Sequence, residues 1–201
     1  MASYSRVATS TAFEPPNANE FDMTACGGAM RCASIATCRR LHSGSGSSRK
    51  PVGAITPEVI RLIEDMKETM YAAPGCGLAA PQIGVSLRLF IVDTASEDEP
   101  SDLRVFINPE IVVREGKVVW EEGCLSFPGV HEDIERAERV VVRAKNERGE
   151  PVELEADGLL GVAVQHENDH LDGVLMIDHM GVLKRRMALR KLQKRAASAE
   201  L

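Results

Sequence analysis

Apolar residues recur along this chain with two periods, about 3.6 towards both ends of its body and 2 between them. The first helical register opens at Thr56-Pro57-Glu58, an N-cap residue followed by proline in the first turn. Val59, Leu62, Ile63, Met66 and Met70 then share one face, so the spacing predicts an amphipathic helix with a buried stripe, ending near Pro74. The shorter period follows. Residues 87–93 read as a strand, and residues 105–108, 111–114 and 118–121 as three short strands separated by Pro109 and by Glu115-Gly116. Residues 140–144 and 152–155 predict a hairpin across Glu147-Arg148-Gly149. A second helix is expected from about Leu159 to Leu171, capped by Asp157. Leu159, Leu160, Val162, Ala163 and Val164 make its first half apolar nearly all round, which predicts burial. A last helix is expected from about Val182 to Ala197.

Residues 1–50 show neither period. They are rich in Ser, Ala, Thr and Gly and finish in Ser43-Gly44-Ser45-Gly46-Ser47-Ser48, so they read as a disordered leader before one folded domain over residues 51–201. Charge divides the same way. The leader carries six basic and three acidic residues, the remainder eighteen and twenty-seven, for a total of −6. An acidic body argues against a general nucleic-acid binder, and no specific DNA contact is expected. No run has the length of a membrane helix, and no apolar signal segment opens the chain, so no membrane role is expected. Thr24 to Lys50 holds basic residues and no acid, which faintly resembles an organelle transit peptide, but Glu14, Glu20 and Asp22 count against that reading. Five cysteines, an odd number, do not read as a disulfide framework, and a reducing compartment is expected. Cys26, Cys32 and Cys38 recur every six residues, which matches no usual zinc-finger spacing.

The chemistry concentrates in Gln165-His166-Glu167-Asn168-Asp169-His170. On a helix, residues i and i+4 lie on one face, so His166 and His170 can grip one metal ion while Glu167 takes a proton from water beside them. Chance alone would give His-Glu-x-x-His to roughly one chain of this length in forty, so the third ligand decides. A metzincin needs a third histidine where Met176 stands. A thermolysin-like site needs a downstream glutamate, and only Glu200 follows the motif. Both protease templates fail. Cys124, presented in the turn where a strand stops at Gly123, is the remaining candidate, and one Cys with two His leaves a coordination position open. A closed structural zinc module would need a fourth protein ligand at a suitable place. The small residues of Gly75-Cys76-Gly77-Leu78-Ala79-Ala80-Pro81-Gln82-Ile83-Gly84 fit either a tight packing turn or the wall of a site.

Three stretches, Gly75-Cys76-Gly77-Leu78-Ala79-Ala80-Pro81-Gln82, Glu122-Gly123-Cys124-Leu125-Ser126 and Gln165-His166-Glu167-Asn168-Asp169-His170, resemble the signature motifs of the peptide deformylases, in family order. The resemblance runs from about Val52 to about Arg190 and makes residues 51–201 a catalytic domain. It implies an α+β fold with short antiparallel sheets packed around a central metal-binding helix, and a C-terminal helix. It implies a metal-dependent hydrolase that removes the N-formyl group from the initiator formyl-methionine of newly synthesised polypeptides and releases formate. Cys124, His166 and His170 would hold one divalent metal ion, Fe(II) first, with Zn or Ni as substitutes. Glu167 would act as general base and then acid, and Gln82 with the backbone N–H of Leu125 would hold the oxyanion. Thiolate and imidazole suit Fe, Zn or Ni over Mg or Ca. A neutral amide N–H paired with a backbone N–H can supply ~3 kcal/mol or more of transition-state stabilisation. Val162 and Ala163 would line the pocket for the methionine side chain beside Cys76 and Gly77, with Glu122 and Gly123 flanking the peptide backbone.

The sequence departs from the family in three places. The short extended segment that usually precedes the first helix is not found, Cys76 replaces an aliphatic residue, and His131 stands in the loop after Cys124 where many relatives carry another side chain. The expected partners are formylated nascent N-termini. Ribosomal RNA is a further candidate, through the basic residues Lys184, Arg185, Arg186, Arg190, Lys191, Lys194 and Arg195. Such runs are also commonly solvated helix faces. The expected location is the bacterial cytoplasm, or a mitochondrion or plastid if the leader is a transit peptide.

Overall fold

The structure is a computed structural model that describes residues 49–199 apart from Pro74 and Glu97. The leader over residues 1–48, with Cys26, Cys32 and Cys38, lies outside the described residues. Helix α1 spans Pro57–Ala72. Strand β1 (Gly77–Ala79) runs into a 3-10 turn at Ala80–Ile83, and β2 follows at Leu89–Val92. Then come β3 (Arg104–Glu115), β4 (Val118–Gly123), β5 (His131–Arg136), β6 (Arg139–Lys145) and β7 (Pro151–Asp157). Helix α2 spans Gly158–Asp172 and α3 spans Val182–Ala199. The strands form an antiparallel five-stranded sheet in the order β1-β2-β3-β6-β7 and a separate antiparallel pair, β4-β5.

Period-2 alternation explains why the larger sheet is buried on both faces. Leu89, Ile91, Val105 and Ile107 point to one side, where Ile63, Met66 and Met70 of α1 cover them. Phe90, Val92 and Phe106 point to the other, with Val140 and Val142, and meet Ala163, Val164 and Leu171 of α2. Phe90 and Phe106 stack at 4.7 Å across β2 and β3. Each side chain buried in this way is worth about 1.5–3 kcal/mol. The smaller sheet has its own cluster. Phe127, Val130 and Ile134 pack on Leu175, Met176, Ile177 and Met180, and on Ala188 and Leu192 of α3.

Four details differ from the sequence reading. Pro109 does not end a strand: β3 continues for 12 residues, with register shifts at Ile107/Glu110 and Ile111/Val113 that absorb the missing N–H. Asn108 adopts φ 54° there, and its side-chain amide accepts from Val52 N at 2.7 Å and donates to Val52 O at 2.8 Å. Strand β5 was not foreseen, and His131 is its first residue, paired with Gly123 instead of lying in a loop. Asp157 stands at the N-cap of α2 without a side-chain capping bond, and Leu159 is exposed, whereas its neighbour Leu160 packs against the core. Lastly, Arg49 and Lys50, assigned to the leader, touch the body. Lys50 N donates to Ser86 O at 3.1 Å, Arg88 N donates to Lys50 O at 2.9 Å, and Lys50 bridges Leu87 in parallel. With Val52 buried in the core, residues 49–52 form a short extended lead-in to α1.

Candidate active site

Helix α2 lies against the larger sheet and presents its C-terminal half to the smaller one. Its approach is close at Gly161, where a Cβ would come within 3.0 Å of Ala156 O. Residues 161–168 are all buried, so the polar run from Gln165 to Asn168 must find partners inside the protein. On the facing side β4 ends at Gly123, and a turn closed by Phe127 N donating to Cys124 O at 2.8 Å presents the thiol.

These two elements bring the predicted ligands together. The ligand atoms of Cys124, His166 and His170 all lie within 4.8 Å of one another. Cys124 Sγ is 3.4 Å from His170 Nε2. Metal–sulfur and metal–nitrogen bonds of about 2.3 and 2.1 Å at a tetrahedral angle would give an S···N edge of about 3.6 Å, so this pair fits one ion. His166 Nδ1 donates to Glu122 Oε2 at 2.7 Å, which leaves Nε2 available to ligate a metal. Glu167 Oε2 is buried and has no hydrogen-bond partner among the described residues, as suits an oxygen that serves a water or substrate proton.

Electrostatics separates two neighbouring carboxylates. Burial pushes the Glu167 carboxyl up to about 7, with Glu122 and Asp169 adding to the rise and His166 opposing it. Burial would raise Glu122 as well, but Arg136 and then His166 outweigh it and hold that carboxyl at about 2. Arg136 grips Glu122 with two bonds, Nε to Oε1 at 2.6 Å and Nη2 to Oε2 at 2.9 Å. Its Nη1 donates to Asp169 Oδ2 at 2.6 Å. Burial opposes the charge on His166, yet Cys124 and Glu122 raise its pKa well above the ordinary histidine value. The same negative groups favour a metal cation in place of that proton.

A cavity of about 440 Å³ opens beside these groups. It is lined by Cys76, Gly77, Gln82, Glu122, Gly123, Cys124, Leu125, Val162, Ala163, His166 and Glu167, which is every site residue expected from the sequence except His170. His170 sits behind Cys124, with its ring at 75° to that of His166. Gln82 is held by its own turn: Oε1 accepts from Ala79 N at 2.7 Å, so Nε2 faces Ser126 Oγ at 3.3 Å and Cys124 Sγ at 3.8 Å. The glycine stretch is both turn and wall. A Cβ on Gly77 would lie 2.6 Å from Glu167 Oε1, and one on Gly75 would lie 2.8 Å from a Leu125 methyl. Cys76 is exposed at the rim.

The sequence reading missed Arg136, which carries the ion-pair network, and the lining residues Trp120 and Leu159. Asp169 is bonded by Arg136 and His179. Asp172 instead pairs with Arg88 and Asn168 near the helix end. Glu122 lines the cavity, but its carboxylate is turned to His166 and Arg136 and not to the open space. Arg136 had one available signal, since it lies two residues beyond the buried Ile134 on the same face of β5.

Fold and donor set together define an α+β protein with one candidate metal site of mixed sulfur and nitrogen donors. Residues 46–186 match the family model described as polypeptide deformylase. The peptide deformylase of Alkalilimnicola ehrlichii is 52% identical over 144 residues, covering 72% of this chain and 80% of its own length. Among solved structures, a peptide deformylase from Legionella pneumophila superposes with a TM-score of 0.74 at 40% identity, over 86% of this chain and 98% of that one. One from Synechococcus elongatus, solved in complex with actinonin, gives 0.71 at 41% identity, over 81% and 86%. The chain belongs to the polypeptide deformylase family.

Proposed function

We infer that this chain is a metal-dependent hydrolase that removes the N-formyl group from the initiator formyl-methionine of newly synthesised polypeptides, with formate as product. The observation that carries the reading is convergence: in a chain of this family, Cys124, His166, Glu167 and Gln82 open onto one cavity, with His170 behind Cys124.

Cys124, His166 and His170 hold the divalent ion, and sulfur with two nitrogens suits Fe, Zn or Ni over Mg or Ca. We take Fe(II) as the resident ion, which metal analysis of anaerobically purified protein checks. When bound, the ion supplies Lewis acidity and lowers the pKa of water at the open position. The protein supplies the rest. Glu167 accepts a proton from the attacking water. It then returns that proton to the amine nitrogen as the C–N bond breaks. Gln82 Nε2 and the Leu125 backbone N–H donate to the formyl oxygen as it gains charge, and because Oε1 of Gln82 is fixed by Ala79 no reorientation is needed. Val162, Ala163, Cys76 and Gly77 border the space for the methionine side chain, and Gly123 lies where the peptide backbone passes. Glu122 acts through His166, by holding its ring.

Formate release from formyl-Met-Ala-Ser, by protein loaded anaerobically with Fe(II) or Ni, tests the reading. A folded, metal-loaded sample without activity would overturn it. Glu167→Ala should keep its metal and lose two to four orders of magnitude in rate, on the order expected for a general acid–base. Survival of the rate would remove the role given to Glu167.

The bacterial cytoplasm is the location this reading favours. The curated relative above is bacterial, and among the described residues no helix is long and apolar enough to cross a membrane. A ribosome contact would use the outer face of α3. Lys184, Lys191 and Arg185 already bond Glu132, the Gly129 carbonyl and Asp178, whereas Val182, Leu183 and Met187 are exposed beside Arg186 and Arg190. Ribosome co-sedimentation unchanged by Arg186→Glu with Arg190→Glu would remove that idea.

A further inference from the structure

Five side chains from four separate segments form one hydrogen-bonded path that starts at a half-exposed histidine and ends at His166. His179 Nε2 lies 2.8 Å from Asp169 Oδ2. The same oxygen accepts from Arg136 Nη1 at 2.6 Å, Arg136 holds both oxygens of Glu122, and Glu122 Oε2 accepts from His166 Nδ1. Exposure falls along the path, from 30% for the His179 side chain through 22% for Asp169 to 6% for Arg136 and 3% for Glu122.

We propose that His179 is a positioning residue for the metal ligand His166, acting through Asp169, Arg136 and Glu122. The proposal rests on the reading of Cys124, His166 and His170 as the metal site. The His179 ring is not needed for its own turn. Its backbone N–H already donates to Met176 O at 3.2 Å, closing the 3-10 turn at Met176–Asp178, so the ring is spent on Asp169. Arg136 divides three N–H bonds between two carboxylates, two to Glu122 and one to Asp169. With Asp169 ionised, His179 takes part of its charge. Without that donor, Asp169 draws the guanidinium towards α2 and off Glu122, and the carboxylate that fixes the His166 ring loses its clamp.

Full-length protein loaded anaerobically with Co(II) tests this through the ligand-field absorption bands and the half-life of bound Co(II) against excess chelator. His179→Leu keeps bulk and removes the donor, whereas His179→Gln keeps an N–H able to reach Asp169. Direct supports of a ligand are worth ten- to a hundredfold in metal affinity, and His179 stands further out. We expect the Leu variant to shift the bands and shorten the half-life roughly three- to tenfold, with Gln within about twofold of the wild type. A Leu variant equal to wild type, or Leu and Gln variants that depart together, would overturn the proposal. Wild type that takes up no Co(II) would overturn the metal-site reading, and this inference with it.

Discussion

The two sheets are built to different rules. In the larger one, valines, isoleucines and phenylalanines alternate between two apolar clusters, and its charged pairs stay at the surface, such as Arg143 with Glu153 on β6 and β7. In the smaller one, Glu122 is the one buried residue of β4, and β5 buries Arg136 two positions after Ile134. An ion pair occupies the place of a core valine. Replacing such a pair by apolar residues is often neutral or stabilising, so stability alone does not account for it. Its geometry does: Glu122 holds His166 while Arg136 holds Glu122, and the smaller sheet gives up apolar packing for a fixed imidazole.

Breaking that pair on one side should give the largest effect. Arg136→Met leaves Glu122 buried without its cation and should cost about 3–5 kcal/mol in urea unfolding of metal-free protein. Adding Glu122→Leu should restore much of that loss while metal retention stays poor, because His166 remains unheld. A double variant as unstable as the single would mean that the buried charge is not the cause.

The same contrast decides what was legible in the sequence. The larger sheet announces itself by β-branched residues at period 2, and α1 by its Thr56-Pro57 start and apolar stripe. His-Glu-x-x-His marks three candidate site residues, and all three lie on α2. Strand β5 hides, because His131-Glu132-Asp133-Ile134-Glu135-Arg136 has one apolar residue and its second inward position is charged. Arg136 and Asp169 are 33 positions apart, and neither side chain carries a local cue to the other. Pro109 misled for a different reason. A proline is tolerated at a register shift, and that shift depends on Asn108 closing on Val52, 56 positions away.

Glu122 and Glu167 both line the cavity, but only the Glu122 carboxylate is paired by the smaller sheet. Glu122 at about 2 lies below the ordinary glutamate value of 4.5, so its stabilising contribution is present above pH 4.5 and is lost as pH falls through 2. Glu167 at about 7 lies above 4.5, so its contribution is complete below pH 4.5 and is lost as pH rises through 7. A displacement of that size is worth about 3 kcal/mol. Urea unfolding of metal-free wild type and Glu167→Gln between pH 4.5 and 8 should therefore show the wild type losing about 3 kcal/mol relative to the variant. A constant difference across that range would show that Glu167 is not held protonated by its surroundings.

Gly77 tests a place where the larger sheet meets Glu167 directly. An alanine methyl there would stand 2.6 Å from Glu167 Oε1 and 2.9 Å from its Cγ, so the carboxylate must move or β1 must retreat. Misplacing a reacting group by about 1 Å can cost on the order of a hundredfold, and Gly77→Ala should lower kcat roughly ten- to a hundredfold. Overpacking should cost the fold about 1–3 kcal/mol. Full activity with formyl-Met-Ala-Ser would mean that the Glu167 side chain has room to shift without loss.

The smallest effect should come from the larger sheet's own ion pair, and for that reason it is the control. Arg143 Nε donates to Glu153 Oε2 at 2.6 Å, the same separation as Arg136 Nε to Glu122 Oε1. The two residues are register partners on β6 and β7, so the geometry is as regular as a sheet allows. Distance alone would therefore rank the pairs as equals. Exposure separates them: the Arg143 and Glu153 side chains are 63% and 56% exposed, against 6% and 3% for Arg136 and Glu122. When Arg143 is removed, water solvates Glu153 at once, whereas no water reaches Glu122 to do the same. Arg143→Ala should leave the urea midpoint, the metal half-life and formate release at their wild-type values, in low salt and in 1 M salt alike. A clear fall in the midpoint would mean that bond length, and not burial, sets what an ion pair is worth in this protein. Glu122 would then lose its claim to be held for the sake of His166.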